Sequence, residues 1–156
     1  QEEKISVIRQ KNENYVFHKS YEREFKDNIE KYLYKFHNEN MYKKGVKKSE
    51  IKSKFFPKIK QSIFDSLIQD MFDKNVIKKQ DEYISLTFFK IDYDDNYLKI
   101  ESSIIKLAQE AKYNFVKIEE IKSKFIKNSN IDDIIALLID DNKLIKLNDE
   151  FVMMKR

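Results

Sequence analysis

Ile51-Lys-Ser-Lys-Phe55 returns as Ile121-Lys-Ser-Lys-Phe125, an offset of 70 positions. Further on, Ile77-Lys78 returns as Ile145-Lys146, and Asp81-Glu82-Tyr83-Ile84 returns as Asp149-Glu150-Phe151-Val152, both at an offset of 68. One five-letter match can be chance in a lysine-rich chain. Several matches in the same order at nearly the same offset mark an internal repeat of about 60 to 70 residues, within the range of small structural modules.

The sequence around these matches says what is repeated. Tyr21 to Asn38 places Tyr21, Phe25, Ile29, Tyr32, Leu33 and Phe36 at three- and four-residue steps, which predicts an amphipathic helix with Ser20 as its N-cap. After Gly45, Ser49 to Phe56 reads as a short helix closed by Pro57, and Ile59 to Asn75 reads as a third helix. Val76 to Lys79 and Tyr83 to Leu86 are extended runs around the turn-prone Gln80-Asp81-Glu82, hence a hairpin. After Phe88 to Asp95 the order recurs: a helix from Tyr97 to Ala111, a strand at Phe115 to Ile118, and a helix from Glu119 to Phe125. A third helix from Ile131 to Asp141 follows, then a hairpin of Lys143 to Leu147 with Phe151 to Met154.

Helix, short strand, helix, helix and a two-stranded wing is the order of a winged helix. The predicted fold class is therefore α+β, mainly helical, built of tandem winged-helix modules. Ile5 to Gln10 and Tyr15 to Phe17 alternate as strands around Lys11-Asn12-Glu13-Asn14, and Tyr15 lies 68 positions before Tyr83. The expected organisation is a wing hairpin of a preceding module at 1–19, a complete module at 20–90 and another at 91–156, within a longer protein.

Composition narrows the function. The 156 residues are 41% hydrophobic with 12 Phe and 9 Tyr, enough apolar material to fold under a surface in which 37% of residues are charged. A single glycine, Gly45, and a single proline, Pro57, leave no glycine-rich phosphate loop, so any nucleotide hydrolysis is expected in another part of a parent protein. Cysteine is absent, which excludes disulfides and thiolate metal sites and fits a reducing cytoplasm. No apolar run approaches the roughly 18 residues of a membrane span, so a soluble chain with no membrane partner is expected. The abundance of Lys, Ile and Asn resembles the coding bias of an AT-rich genome and lowers the weight of any one lysine.

Catalytic chemistry finds no footing. His18 and His37 are the only histidines, and His37 is expected to cap or pack at the end of the first helix. Asp92, Asp94 and Asn96 imitate the start of a calcium loop, but Tyr97 stands at the glycine position and Ser103 at the bidentate glutamate position. The Asp pairs read as helix ends, so no catalytic residue, metal site or cofactor is expected in this chain.

In a winged helix the third helix and the wing form the usual nucleic-acid face. Lys43, Lys44, Lys47, Lys48, Lys52, Lys54, Lys58 and Lys60 crowd the approach to that helix in the first module, with Lys78 and Lys79 on the wing. They are candidate phosphate contacts, or a solvated lysine-rich face. A net charge of +4 decides nothing between these. The second module's third helix carries Asp132, Asp133, Asp140 and Asp141 and should repel phosphate, which suits a spacer or protein-facing role.

Tyr32-Leu-Tyr-Lys-Phe-His37-Asn-Glu-Asn40-Met-Tyr-Lys-Lys-Gly45-Val-Lys-Lys-Ser-Glu50-Ile resembles the C-terminal arm of the bacterial selenocysteine-specific elongation factor, the SelB family. There a helix ends in a His-x-x-Asn-Pro-Leu-x-x-Gly type turn before a Lys/Arg-Glu-Glu-Leu helix start. His37, Asn40, Gly45 and Glu50 match, and Met41 stands where the family has proline. The resemblance implies an arm of four winged helices after GTP-binding and translation-factor domains, joining selenocysteinyl-tRNA delivery to an mRNA hairpin. It implies that GTP and Mg belong to the N-terminal part, and that the fourth module, beyond Arg156, carries the principal hairpin surface. RNA and secondarily the ribosome are the expected partners, with the chain a cytoplasmic monomer. Two other classes use the same modules: a DNA-binding regulator or replication initiator, and a winged-helix protein-interaction scaffold.

Overall fold

The computed structural model describes residues 5–9, 14–111 and 115–155. They divide into two compact units, Gln1–Lys90 and Ile91–Arg156. The first unit begins with the antiparallel hairpin β1 (Ile5–Arg9) and β2 (Asn14–His18), in register Ile5↔His18 to Arg9↔Asn14. Gln10 and the predicted turn residues Lys11 to Glu13 lie outside the described residues. Ile8 and Phe17 lay this hairpin against the core that follows.

That core is a winged helix: α1 (Lys19–Glu39), β3 (Val46–Lys47), α2 (Lys48–Phe55), α3 (Gln61–Asp73), β4 (Ile77–Gln80) and β5 (Tyr83–Leu86). The strands pair in the order β3-β5-β4, both pairs antiparallel. Of the stripe expected on the first helix, Phe25, Ile29 and Leu33 are at most 1% exposed and Tyr32 and Phe36 pack against the core, while Tyr21 stays 40% exposed. The three buried side chains meet Ile51 of α2, Phe64 and Ile68 of α3, and Ile84 of β5.

The second unit repeats the plan with α4 (Asp95–Glu110), β6 (Phe115–Lys117), α5 (Ile118–Lys124), α6 (Ile131–Asp140), β7 (Leu144–Lys146) and β8 (Phe151–Met154), its strands ordered β6-β8-β7. Equivalent letters do equivalent work. Ile51 and Ile121 are fully buried in α2 and α5, and the pair Val46↔Ile84 answers Val116↔Val152. The repeat also extends where the letters gave no hint. After α3, Asn75 sits at φ 54 while its N–H donates to Phe72 O and that of Val76 donates to Met71 O. After α6, Asn142 sits at φ 57, with Asn142 N–H on Ile139 O and Lys143 N–H on Leu138 O. Both are Schellman turns, in which a left-handed residue lets two amides reach back to the last carbonyls.

Several boundaries differ from expectation. The N-cap of α1 is His18, not Ser20, because the His18 Nδ1 accepts from the Ser20 amide and draws Ser20 into the first turn. Helix α3 starts at Gln61 rather than Ile59, with Lys60 as its cap residue. It ends at Asp73, since the Schellman turn takes up Asn75 and keeps Val76 out of β4. Gln80 belongs to β4, so the wing turns through Asp81 and Glu82 alone, with Asp81 at φ 55. Strand β3 fills the short-strand place of the repeat, its two residues too few to show an alternation in the sequence.

Candidate nucleic-acid interface

The candidate phosphate contacts lie on and just before α2, on the loop after it and on the wing rather than on the third helix. Helix α3, which would enter a groove, carries Asp65, Asp70 and Asp73 and no lysine or arginine. The candidate lysines are distributed around it. Lys44 is a correction: its side chain is 6% exposed, with its ammonium 4.0 Å from the Asp81 carboxylate, so it is withdrawn from any phosphate. Lys78 donates to the Phe89 carbonyl within its own unit.

The others hold definite places. Lys47, the cap residue of α2, reaches Glu82 at 2.9 Å and lies 6.0 Å from the Tyr83 ring centre at the wing. Lys48 bonds Asp65 at 2.6 Å and ties α2 to α3. Burial pushes the Asp65 carboxyl up, but the hydrogen bonds from Lys48 and Gln61 outweigh it and hold the group below its ordinary value. Lys54 lies 4.2 Å over the Tyr32 ring, where α2 crosses α1. Lys60 donates to the Tyr15 hydroxyl at 3.0 Å and lies 5.1 Å from that ring's centre, while Lys43 is exposed before β3. Lys52, Lys58 and Lys79 form no salt bridge to a described carboxylate, although the Lys52 charge acts on Asp65 and helps to hold its carboxyl down, and these three are the readiest to exchange counterions for phosphate.

The four turn residues behave as a structural unit. His37 is 7% exposed; its Nε2 accepts from the Leu86 amide at 3.2 Å, and its ring stacks on Phe89 with centres 3.6 Å apart and planes 8° from parallel. Strand β3 reaches only Ile84 and Tyr83 on β5, so Leu86 lies beyond its end and the imidazole takes up the amide a longer β3 would have held. Burial first, then the Lys78 charge, pull the His37 pKa down to about 4. Asn40 caps the helix, its side-chain amide donating to Phe36 O at 2.9 Å. Gly45 passes against β5: a Cβ there would stand 2.2 Å from Ile84 O, closer than any side chain tolerates. Glu50 accepts from the Tyr32 hydroxyl at 2.9 Å, and burial followed by this carboxylate raises the Tyr32 pKa to about 12. These residues join the end of α1 to the wing and to the start of α2.

Sequence reasoning missed the charged network linking the hairpin, α1 and α3. Lys26 bonds Glu22 at 2.7 Å and Asp70 at 2.6 Å, Lys74 bonds Asp70 at 2.8 Å, and the Ser6 hydroxyl donates to Glu22 at 2.6 Å. The Lys26 to Glu22 step is an i, i+4 pair and could have been read; the reach to Asp70 depends on tertiary packing. In the second unit Asp94 is the N-cap of α4, accepting from the Tyr97 amide at 2.8 Å, which accounts for the abortive calcium-like run. No cluster of metal-ligating side chains occurs among the described residues. No described helix is long and apolar enough to cross a membrane.

A helix, two-residue or three-residue strand, two further helices and a hairpin that pairs with that strand, present twice, make this a tandem winged-helix protein. The first module is more specific than that. Residues 31–86 match the family described as elongation factor SelB, winged helix, a span that runs from within α1 to the end of β5 and takes in His37, Asn40, Gly45 and Glu50. The chain thus contains a SelB-like winged helix. A search of curated proteins returns no match.

Proposed function

We propose that the chain is a non-catalytic, RNA-associated arm of a selenocysteine-specific elongation factor, linking a GTPase and tRNA-delivery part to the mRNA selenocysteine insertion hairpin. The observation that carries this is the SelB winged-helix match over 31–86, followed by a second module of the same topology. In this layout 1–19 is the wing of a preceding module, and 20–90 and 91–156 are complete modules. The equivalence of the two complete modules extends to their wing aromatics: Lys47 lies by Tyr83 and Lys117 by Phe151, at 6.0 and 5.8 Å. GTP and Mg would be bound by the GTPase part, in a cytoplasmic monomer.

The first module would touch RNA phosphate through flanking lysines, chiefly Lys52, Lys58 and Lys79, with Lys43, Lys47, Lys48, Lys54 and Lys60 adding to the field. An acidic α3 argues against insertion into a groove, and the deep narrow groove of A-form RNA would not admit the helix in any case. The second module, with Asp132, Asp133 and Asp140 on α6, would set distance and angle. The test is titration of a labelled insertion hairpin at several salt concentrations. The reading expects weak, steeply salt-dependent binding whose log–log slope falls by about 2 to 3 in the triple variant K52A/K58A/K79A. An unchanged slope would remove the assignment of those lysines.

A further inference from the structure

A groove of about 360 Å³ opens within the first unit, between β2, the start of α1 and the loop from α2 to α3. This volume falls in the range of small-ligand pockets, about 300–1,000 Å³. Tyr15 and Phe17 of β2 and Tyr21 of α1 supply rings, Ile59 and Ile63 close the apolar wall, and Lys58 and Lys60 belong to the same lining. None of the described residues of the lining is acidic, and the neighbouring carboxylate, Glu24, acts on Tyr21 from along the helix. The Phe17 and Tyr21 ring centres are 6.0 Å apart with planes tilted 55°, and Tyr21 remains 40% exposed. Lys60 is already held over Tyr15, so the cation and the ring form a prearranged pair.

Aromatic faces beside cations are the chemistry that binds single-stranded nucleic acid: bases stack on rings and backbone phosphates follow the charges. An apolar peptide would use the rings but gain nothing from two ammonium groups, and a duplex would leave the rings idle. We propose that this groove takes one unpaired base of an RNA strand, stacked on the exposed Tyr21 ring and bordered by Phe17, with the adjoining phosphates at Lys58 and Lys60. This rests on the reading that the chain associates with RNA, and names where unpaired RNA would be held.

The experiment uses the full chain and two labelled probes, an oligouridine of about ten nucleotides and an abasic strand of the same length, with binding read by fluorescence anisotropy. The wild-type chain should prefer the oligouridine by about tenfold, the worth of one stacked base. Tyr21→Ala should abolish the preference and Tyr21→Phe should keep it, while Lys58→Ala should lower the salt slope by about 0.7 for both probes. Equal binding of the two probes by the wild-type chain, or a preference unchanged in Tyr21→Ala, overturns the proposal. The insertion hairpin is titrated in parallel. If it binds while either of those results holds, the groove alone falls; if neither hairpin nor oligouridine binds, the RNA reading falls with it.

Discussion

Acid should loosen the first module through His37 before it touches any carboxylate. The folded chain holds this imidazole at about 4 against an ordinary value of 6.5, because it is buried between the wing and Phe89 with the Lys78 charge nearby. Nε2 accepts from the Leu86 amide, so protonation would destroy the acceptor as well as charge a desolvated ring. With the folded pKa below the unfolded one, the unfolded chain takes up the proton first. The stability contributed by neutral His37 is fully present above about pH 6.5 and is lost as pH falls through the window to about 4. At about 1.4 kcal/mol per pKa unit the whole window amounts to about 3 kcal/mol, a large fraction of a small domain's stability. Glu22, Asp65 and Asp70, whose pKa values are lowered, lose their contributions only below the ordinary carboxylate range. Urea unfolding followed by circular dichroism, at steps between pH 7.5 and 4.5, should show the loss in the wild-type chain. His37→Gln, which keeps an acceptor but does not titrate, should remove most of the slope above pH 4.5. NMR titration of the imidazole supplies the direct check: a pKa of 6 or higher, or equal slopes in the two proteins, would refute the reasoning.

Two further predictions concern the scaffold. Gly45→Ala forces a methyl group to within 2.2 Å of a backbone carbonyl on the central wing strand, and should cost at least about 2 kcal/mol in urea unfolding, with the wing amides of β5 the first to lose exchange protection. Asn75→Ala and Asn142→Ala each keep a Cβ at positive φ but lose the short polar side chain that makes asparagine tolerant of the left-handed region, and each should cost about 1 kcal/mol, whereas Asn75→Gly and Asn142→Gly should be nearly neutral; a difference between the two sites would mean that the Schellman turns are not equivalent.

The helices and hairpins were legible because each buries one stripe. Phe25, Ile29 and Leu33 repeat at helical steps, and the literal recurrence of Ile51 and Ile121 marks the same buried position twice. What stayed hidden depends on contacts between distant residues. His37 reads as a helix-end residue, but its partners Leu86 and Phe89 lie some fifty positions away. The ten lysines read as a cluster because they are close in sequence. Folding sends Lys44 inward, Lys54 onto Tyr32 and Lys60 onto Tyr15, placements that depend on partners distant in the chain. The SelB-like turn was readable for a related reason: His37, Asn40, Gly45 and Glu50 are spaced by the local geometry of one helix end and one close approach, which few other residues satisfy.

The central claim is that this chain is an RNA-associated arm and not a DNA reader. It is tested most directly by competition at one salt concentration between a labelled selenocysteine insertion hairpin and duplex DNA of matched length and charge, with the full chain as the binder. The account predicts weak binding in which the hairpin outcompetes the duplex. Preferential binding of the duplex would contradict it, and so would tight, sequence-selective hairpin binding by this chain alone, since that would place here the principal site expected of a later module.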